Sequence, residues 1–256
     1  MPNLPPHKYV HLRMSSRIRR PKPTIETFAH AFLFPALEFG AAFLFAWMNS
    51  IPWLPGRLGS SPLAATLISS TLLIFLLGCL SLRLRRTRWS SVGLRSPHSW
   101  KRTLIIGIGG GIAYYYCSVH FINPLIVRFS GPFNLGGFAS IKGHPATFLE
   151  FLCLAWVYGA LFEELAYRGY LMNRLANVFG ETTITWSLSL LLVTLLFGFA
   201  HSSQGLSGMI ATGMTGLVFG SIYLLDARNL WTPIVLHGTL DTVIFVRMFQ
   251  GRFPGI

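Results

Sequence analysis

The sequence predicts an all-α, polytopic transmembrane helix bundle with about seven spans. Three observations lead there. The chain is 52% hydrophobic and only 11% charged, where soluble domains carry roughly 25% charged residues; its mean hydropathy is +0.53. Apolar runs of about 20 residues, long enough to cross a bilayer core, recur along it. The net charge of +13 is unevenly placed. Lys8, Arg13, Arg17, Arg19, Arg20 and Lys22 precede the first run, and Arg83, Arg85, Arg86, Arg88, Arg95, Lys101 and Arg102 share one loop. That is how cytoplasmic flanks of membrane spans look. No soluble module carries a basic face, so no nucleic-acid partner is expected.

Residues 1–24 are polar, basic and proline-containing, and read as a cytoplasmic arm. A cleavable signal peptide is not expected, because the polar stretch is long and no small-x-small site follows the first run. Residues 25–256 read as one transmembrane bundle. The first span, 25–48, is interrupted by Pro35 and Glu38, and Glu38 is expected to face the interior or water. Residues 49–62 form an external loop, 62–82 the second span, and 83–102 the basic loop. The third span, 103–127, contains Gly107, Gly109, Gly110 and Gly111, which permit close helix contact. A Gly- and Pro-rich external loop covers 128–146. The fourth span runs 145–172 and continues as a more polar helix to Gly180. The fifth begins near Thr183 and ends at the polar run Ser202-Ser203-Gln204-Gly205. The sixth, 206–225, carries Gly208, Gly213, Gly216 and Gly220; a short turn at 226–229 leads to the seventh, 230–249. Cys79, Cys117 and Cys153 are far apart and read as buried small hydrophobes.

The chain has eight acidic residues, and Glu163 and Glu164 are adjacent inside the fourth span. Ionisable groups there mark a functional site unless they pair. Glu164 and Arg168 are four apart and can pair across one helix face. Glu163 is turned about 100° away and faces something else. Two more polar groups lie in apolar spans. One is Phe197-Gly198-Phe199-Ala200-His201; the other is His237-Gly238-Thr239-Leu240-Asp241, in which Asp241 can orient the His237 ring. Counted from the turn at 180–183, Glu163 and His201 stand about 18 and 19 residues up, at nearly the same height. His237 is only about nine residues above its own turn, which leaves it ~15 Å away along the axis. A tilted sixth helix, or irregular chain at 202–208, is expected to close that gap. Side by side, a carboxylate and a histidine can position and deprotonate a water, and a second histidine can donate to an oxyanion. These are parts for amide hydrolysis in a membrane.

Glu163-Glu164-x-x-x-Arg168, Phe197-x-x-x-His201 and His237-x-x-x-Asp241 resemble the three motifs of the CPBP family: the CAAX-processing endopeptidases and the bacterial Abi and lysostaphin-resistance-like proteins. The resemblance covers about residues 145–250, and Val92-Gly93-Leu94-Arg95 resembles a linker of bacterial members. It implies an intramembrane endopeptidase of the bacterial plasma membrane acting on membrane-associated peptide or protein substrates. By the same resemblance Glu163 is the base, His201 its partner on the water, and His237 with Asp241 the oxyanion side. Glu164, Arg168 and Phe197 support them. Family members often carry Asn at the last position. An ionised Asp241 cannot donate, so here it either orients His237 or is protonated. No cofactor is required in this reading. The alternative is Zn²⁺ held by His201, His237 and Glu163 or Glu164. Competing functions are a non-catalytic membrane immunity or scaffold protein, which would tolerate Glu163→Gln, and a proton-coupled transporter, which usually shows internal repeats. None is visible.

Overall fold

The computed structural model describes residues 33–48 and 70–254. The expected basic arm, the start of the first span and the loop at 49–62 lie outside them. Among the described residues helices joined by short loops make up the structure, with no strand. Helix α1 is Phe34–Met48 and α2 is Ser70–Leu84. Helix α3, Trp100–Cys117, passes through a π-helical turn, Ser118–Ile122, into α4, Asn123–Ser130. Helix α5, Pro145–Leu154, continues as a π-helical stretch, Ala155–Met172, and then as α6, Asn173–Val178. Helices α7, Thr183–Ala200, α8, Gly205–Leu225, and α9, Trp231–Phe249, complete the bundle.

Four helical rods are long and apolar enough to cross a membrane: Trp100–Ser130, Pro145–Val178, Thr183–Ala200 and Ser202–Leu225. Two shorter apolar helices, Phe34–Trp47 and Thr71–Leu84, pack beside them. Their outward rows are apolar. Leu188, Leu191, Leu192 and Leu195 on α7 are exposed, as are Leu206, Ile210, Met214 and Leu217 on α8. Exposed rows of this extent need lipid rather than water, and the protein is an integral membrane protein.

The core sits where two segments are covered on every face. Every residue from Glu163 to Met172 is buried, and so is every residue from Thr232 to Leu240. Because α9 is enclosed by its neighbours, it can be less apolar than the lipid-facing rods. Glycines let the helices close on it. A β-carbon at Gly107 would fall 2.6 Å from Val235, and one at Gly111 would fall 2.8 Å from the Leu236 carbonyl. Gly109, expected to share this contact, faces open space instead.

The basic loop is folded rather than loose. Gly93, at φ +113°, lets its backbone approach the turn between α8 and α9, where any β-carbon would meet the Arg228 carbonyl at 2.5 Å. Leu230 N–H donates to the Gly93 carbonyl at 3.0 Å, and Arg95 donates to the Ala227 carbonyl at 2.6 Å. Val92-Gly93-Leu94-Arg95 is therefore the brace that fixes where α9 begins. Glu38 faces inward, as expected, and is tied to Arg174 at 2.6 Å and to the Ser81 hydroxyl. The cysteines depart from expectation. All three are free, Cys79 is half-buried, and Cys117 and Cys153 are exposed. Sulfur is apolar enough to face lipid, so an apolar span does not make its cysteines core residues.

Candidate active site

Glu163 and Glu164 divide as the helix geometry requires. Glu164 is fully buried and its Oε1 accepts from Arg168 Nη1 at 2.9 Å. Arg168 Nη2 donates to the Gly216 carbonyl at 2.9 Å, and its guanidinium lies over the rings of Phe197 (4.8 Å) and Phe219 (5.6 Å). A buried cation needs such a complement of acceptor, carbonyl and aromatic faces. Gly216 is part of it, because a β-carbon there would lie 2.9 Å from Phe197 and 3.4 Å from Arg168. The Gly216-x-x-x-Gly220 pair thus packs α8 on α7 and also makes room for the arginine.

Glu163 is the member of the pair that borders a cavity of about 380 Å³. The cavity is also lined by Phe197, His201, His237 and Asp241. Thr71 on α2, which sequence reasoning missed, donates to Glu163 Oε1 at 3.4 Å. His237 stands between the carboxylates. Its Nδ1 lies 3.0 Å from Glu164 Oε1, and its Nε2 lies 3.5 Å from Asp241 Oδ2 and 3.9 Å from Glu163 Oε2. Glu164, already paired with Arg168, therefore takes the ring-orienting position expected of Asp241. A four-residue spacing shows which groups share a helix face, not which neighbouring helix supplies a better acceptor. Gly159 keeps this corner open, since a β-carbon there would sit 3.1 Å from Asp241 Oδ2 and 3.8 Å from His237 Nε2.

His201 caps the end of α7. Its Nδ1 is 2.8 Å from the Phe197 carbonyl, which can only accept, so Nδ1 carries the hydrogen and Nε2 of the neutral ring keeps its lone pair. The chain then turns through Ser202–Gln204, and Asn134 from the loop before α5 donates to the Gln204 carbonyl at 2.9 Å. That loop closes one end of the cavity: its Phe138 packs on Phe151 and Phe245.

The ~15 Å height gap expected for His237 is absent. Leu230, at the foot of α9, packs against Gly169, and Asn173 donates to the Tyr223 hydroxyl at 2.7 Å. The turn at 180–183 thus projects beyond the turn at 226–229. Counted from the Gly169–Leu230 contact, Glu163 and His237 lie about six and seven residues up, at one height. Measuring both from their loops assumed that the loops were level.

Of the carboxylates in the alternative zinc set, Glu164 already has one oxygen taken. Glu164 Oε1 is engaged by Arg168 and His237, and no group of three or more His, Cys, Asp or Glu side chains among the described residues is arranged to hold a metal ion.

An all-helical membrane protein whose interior brings two carboxylates and two histidines to a cavity, with an arginine buried behind them, has the elements of an intramembrane hydrolase. Residues 145–243 match the family model of the type II CAAX prenyl endopeptidases, Rce1-like. That stretch contains all three motifs, and the match is to the family that those motifs resemble. No curated protein and no solved structure matches the chain.

Proposed function

We propose that the protein hydrolyses peptide bonds of membrane-associated substrates, using a water activated by Glu163 and no metal. The observation that carries this reading is the division of labour between the glutamates. One is engaged through Oε1 by Arg168 and His237, and the other borders the cavity beside both histidines. A peptide enters the cavity, and a water held between Glu163 and His201 Nε2 attacks the carbonyl carbon. Glu163 takes the proton from that water as the carbon–oxygen bond forms. His237 donates to the oxyanion through Nε2, the nitrogen that Glu164 leaves free. This needs the imidazolium, whose charge is balanced by Glu164 and Asp241. Glu163 then returns its proton to the leaving nitrogen as the carbon–nitrogen bond breaks. Phe197 and Arg168 hold the site's shape and charge.

The apolar lining of the cavity, including Leu154, Phe133 and Phe138, suits a substrate with an apolar segment, and the matching family is described as acting on prenylated CAAX proteins. The setting is a bacterial plasma membrane, with the amino terminus in the cytoplasm. The test is proteomics of membrane-retained fragments in cells carrying wild-type or Glu163→Ala protein. Fragments that vanish in the variant are expected. Identical fragment sets, with the variant present at normal levels, would favour the immunity or scaffold role.

A further inference from the structure

One buried polar group beside this site has no part in the mechanism above. Tyr158 lines the same cavity as Glu163, His201 and His237. Its hydroxyl is fully buried; Thr71 and the Leu72 backbone are its nearest polar partners, and neither is in good hydrogen-bonding geometry with it. Such a group carries the cost of desolvation with nothing in return, so its presence calls for an account. A packing account is weak, because phenylalanine would fill the same space without that cost.

Its position depends on the unusual helix. With α-helical geometry, Tyr158 would be about 140° around the axis from Glu163 and would point away from it. The stretch Ala155–Met172 is π-helical, and i→i+5 bonding returns residue 163 almost to the face of residue 158. The polar surroundings of the hydroxyl are Thr71, which itself donates to Glu163, the Leu72 backbone and Glu163.

The site is rich in acceptors at this end and short of donors. His201 Nδ1–H is committed to the Phe197 carbonyl, and His237 Nδ1 to Glu164. His237 Nε2 faces two carboxylates and donates only as an imidazolium. A phenol O–H donates without any change of charge. We propose that Tyr158 is a further catalytic residue: its hydroxyl donates a hydrogen bond to the oxygen of the scissile carbonyl as that oxygen becomes an oxyanion. No bond forms to Tyr158 and no proton leaves it. The inference rests on the endopeptidase reading of the same cavity.

The experiment uses purified full-length protein in liposomes, with two internally quenched peptides as probes. One ends in an S-farnesyl C-a-a-X sequence, and the other has the same sequence joined to an apolar transmembrane segment. Wild type, Glu163→Gln and Tyr158→Phe are compared on whichever peptide is cut, and each protein's thermal midpoint is recorded. Tyr158→Phe is expected to lower kcat by about 10²–10³-fold, as loss of one oxyanion donor does, with KM little changed. Its thermal midpoint is expected to stay level or rise, because a buried unpaired hydroxyl has gone. A purely structural hydroxyl would behave oppositely, with a lower midpoint and intact kcat. Normal kcat in Tyr158→Phe, while Glu163→Gln is inactive, overturns this inference alone. A raised KM with unchanged kcat also overturns it, by making Tyr158 a binding contact only. If neither peptide is cut by wild type, or Glu163→Gln cuts as fast, the endopeptidase reading falls and takes this inference with it.

Discussion

Glu163 and Glu164 are chemically identical neighbours with different surroundings, and their substitution should separate the two roles. Glu163→Gln keeps the shape of a side chain that meets Thr71, His237 and the cavity, and removes the base. Cleavage is expected to fall by at least about 10²-fold, with the thermal midpoint of the detergent-solubilised protein near that of wild type. Glu164→Gln leaves Arg168 buried without its counter-charge and His237 with a neutral acceptor in place of a charged one. That is expected to cost about 3–5 kcal/mol, seen as a large drop in midpoint and in yield. Two stable, equally inactive variants would contradict this assignment. The Glu164–Arg168 pair was legible in the sequence because partners four apart on one helix need no tertiary information. The His237–Glu164 contact was not, because it joins residues on two helices whose relative height no local spacing reveals. Tyr158 was hidden for another reason: it shares a face with Glu163 only in a π-helix, and nothing in Trp156-Val157-Tyr158-Gly159 announces one.

At the scale of elements, glycine decides how closely the helices approach. Gly216 faces Phe197 and Arg168 together, and Gly198 on α7 faces the Met209 carbonyl and Gly213 on α8. Gly216→Val would force α8 away from α7 and push on the guanidinium. Overpacking of this kind costs typically about 1–3 kcal/mol, and the displaced arginine should lower activity as well. Gly109→Val, whose β-carbon meets nothing, is the matched control, expected to leave the midpoint within about 0.5 kcal/mol of wild type. Equal effects at the two positions, in thermal melts of purified protein, would show that the α7–α8 contact is not what the glycines serve. The sequence revealed that residues 206–225 form a close-packing helix, because small residues recur on one face. It did not reveal that α9 would be the enclosed central helix, since enclosure depends on what surrounds a segment. The high polarity of 230–249 for a membrane span was the available hint.

For the molecule as a whole, the division into a membrane bundle with its site inside followed directly from composition and from where the few acids fall. The disposition across the bilayer is a proposal from charge. The arm and the loop 83–102 hold most of the Lys and Arg, so both are expected in the cytoplasm. With about seven spans the carboxyl terminus is then outside. A reporter fused after Ile256 should be active only outside the cytoplasm, and cytoplasmic activity would remove or add a span.

The central claim is that Glu163 activates the water and that no metal does. It is tested most directly by measuring peptide cleavage by the purified protein in liposomes containing a strong chelator, alongside elemental analysis of the same preparation. The account predicts wild-type cleavage at an undiminished rate, none with Glu163→Gln, and no stoichiometric zinc. About one zinc per chain, with activity lost in chelator and restored by added Zn²⁺, would contradict it and make His201 and His237 ligands.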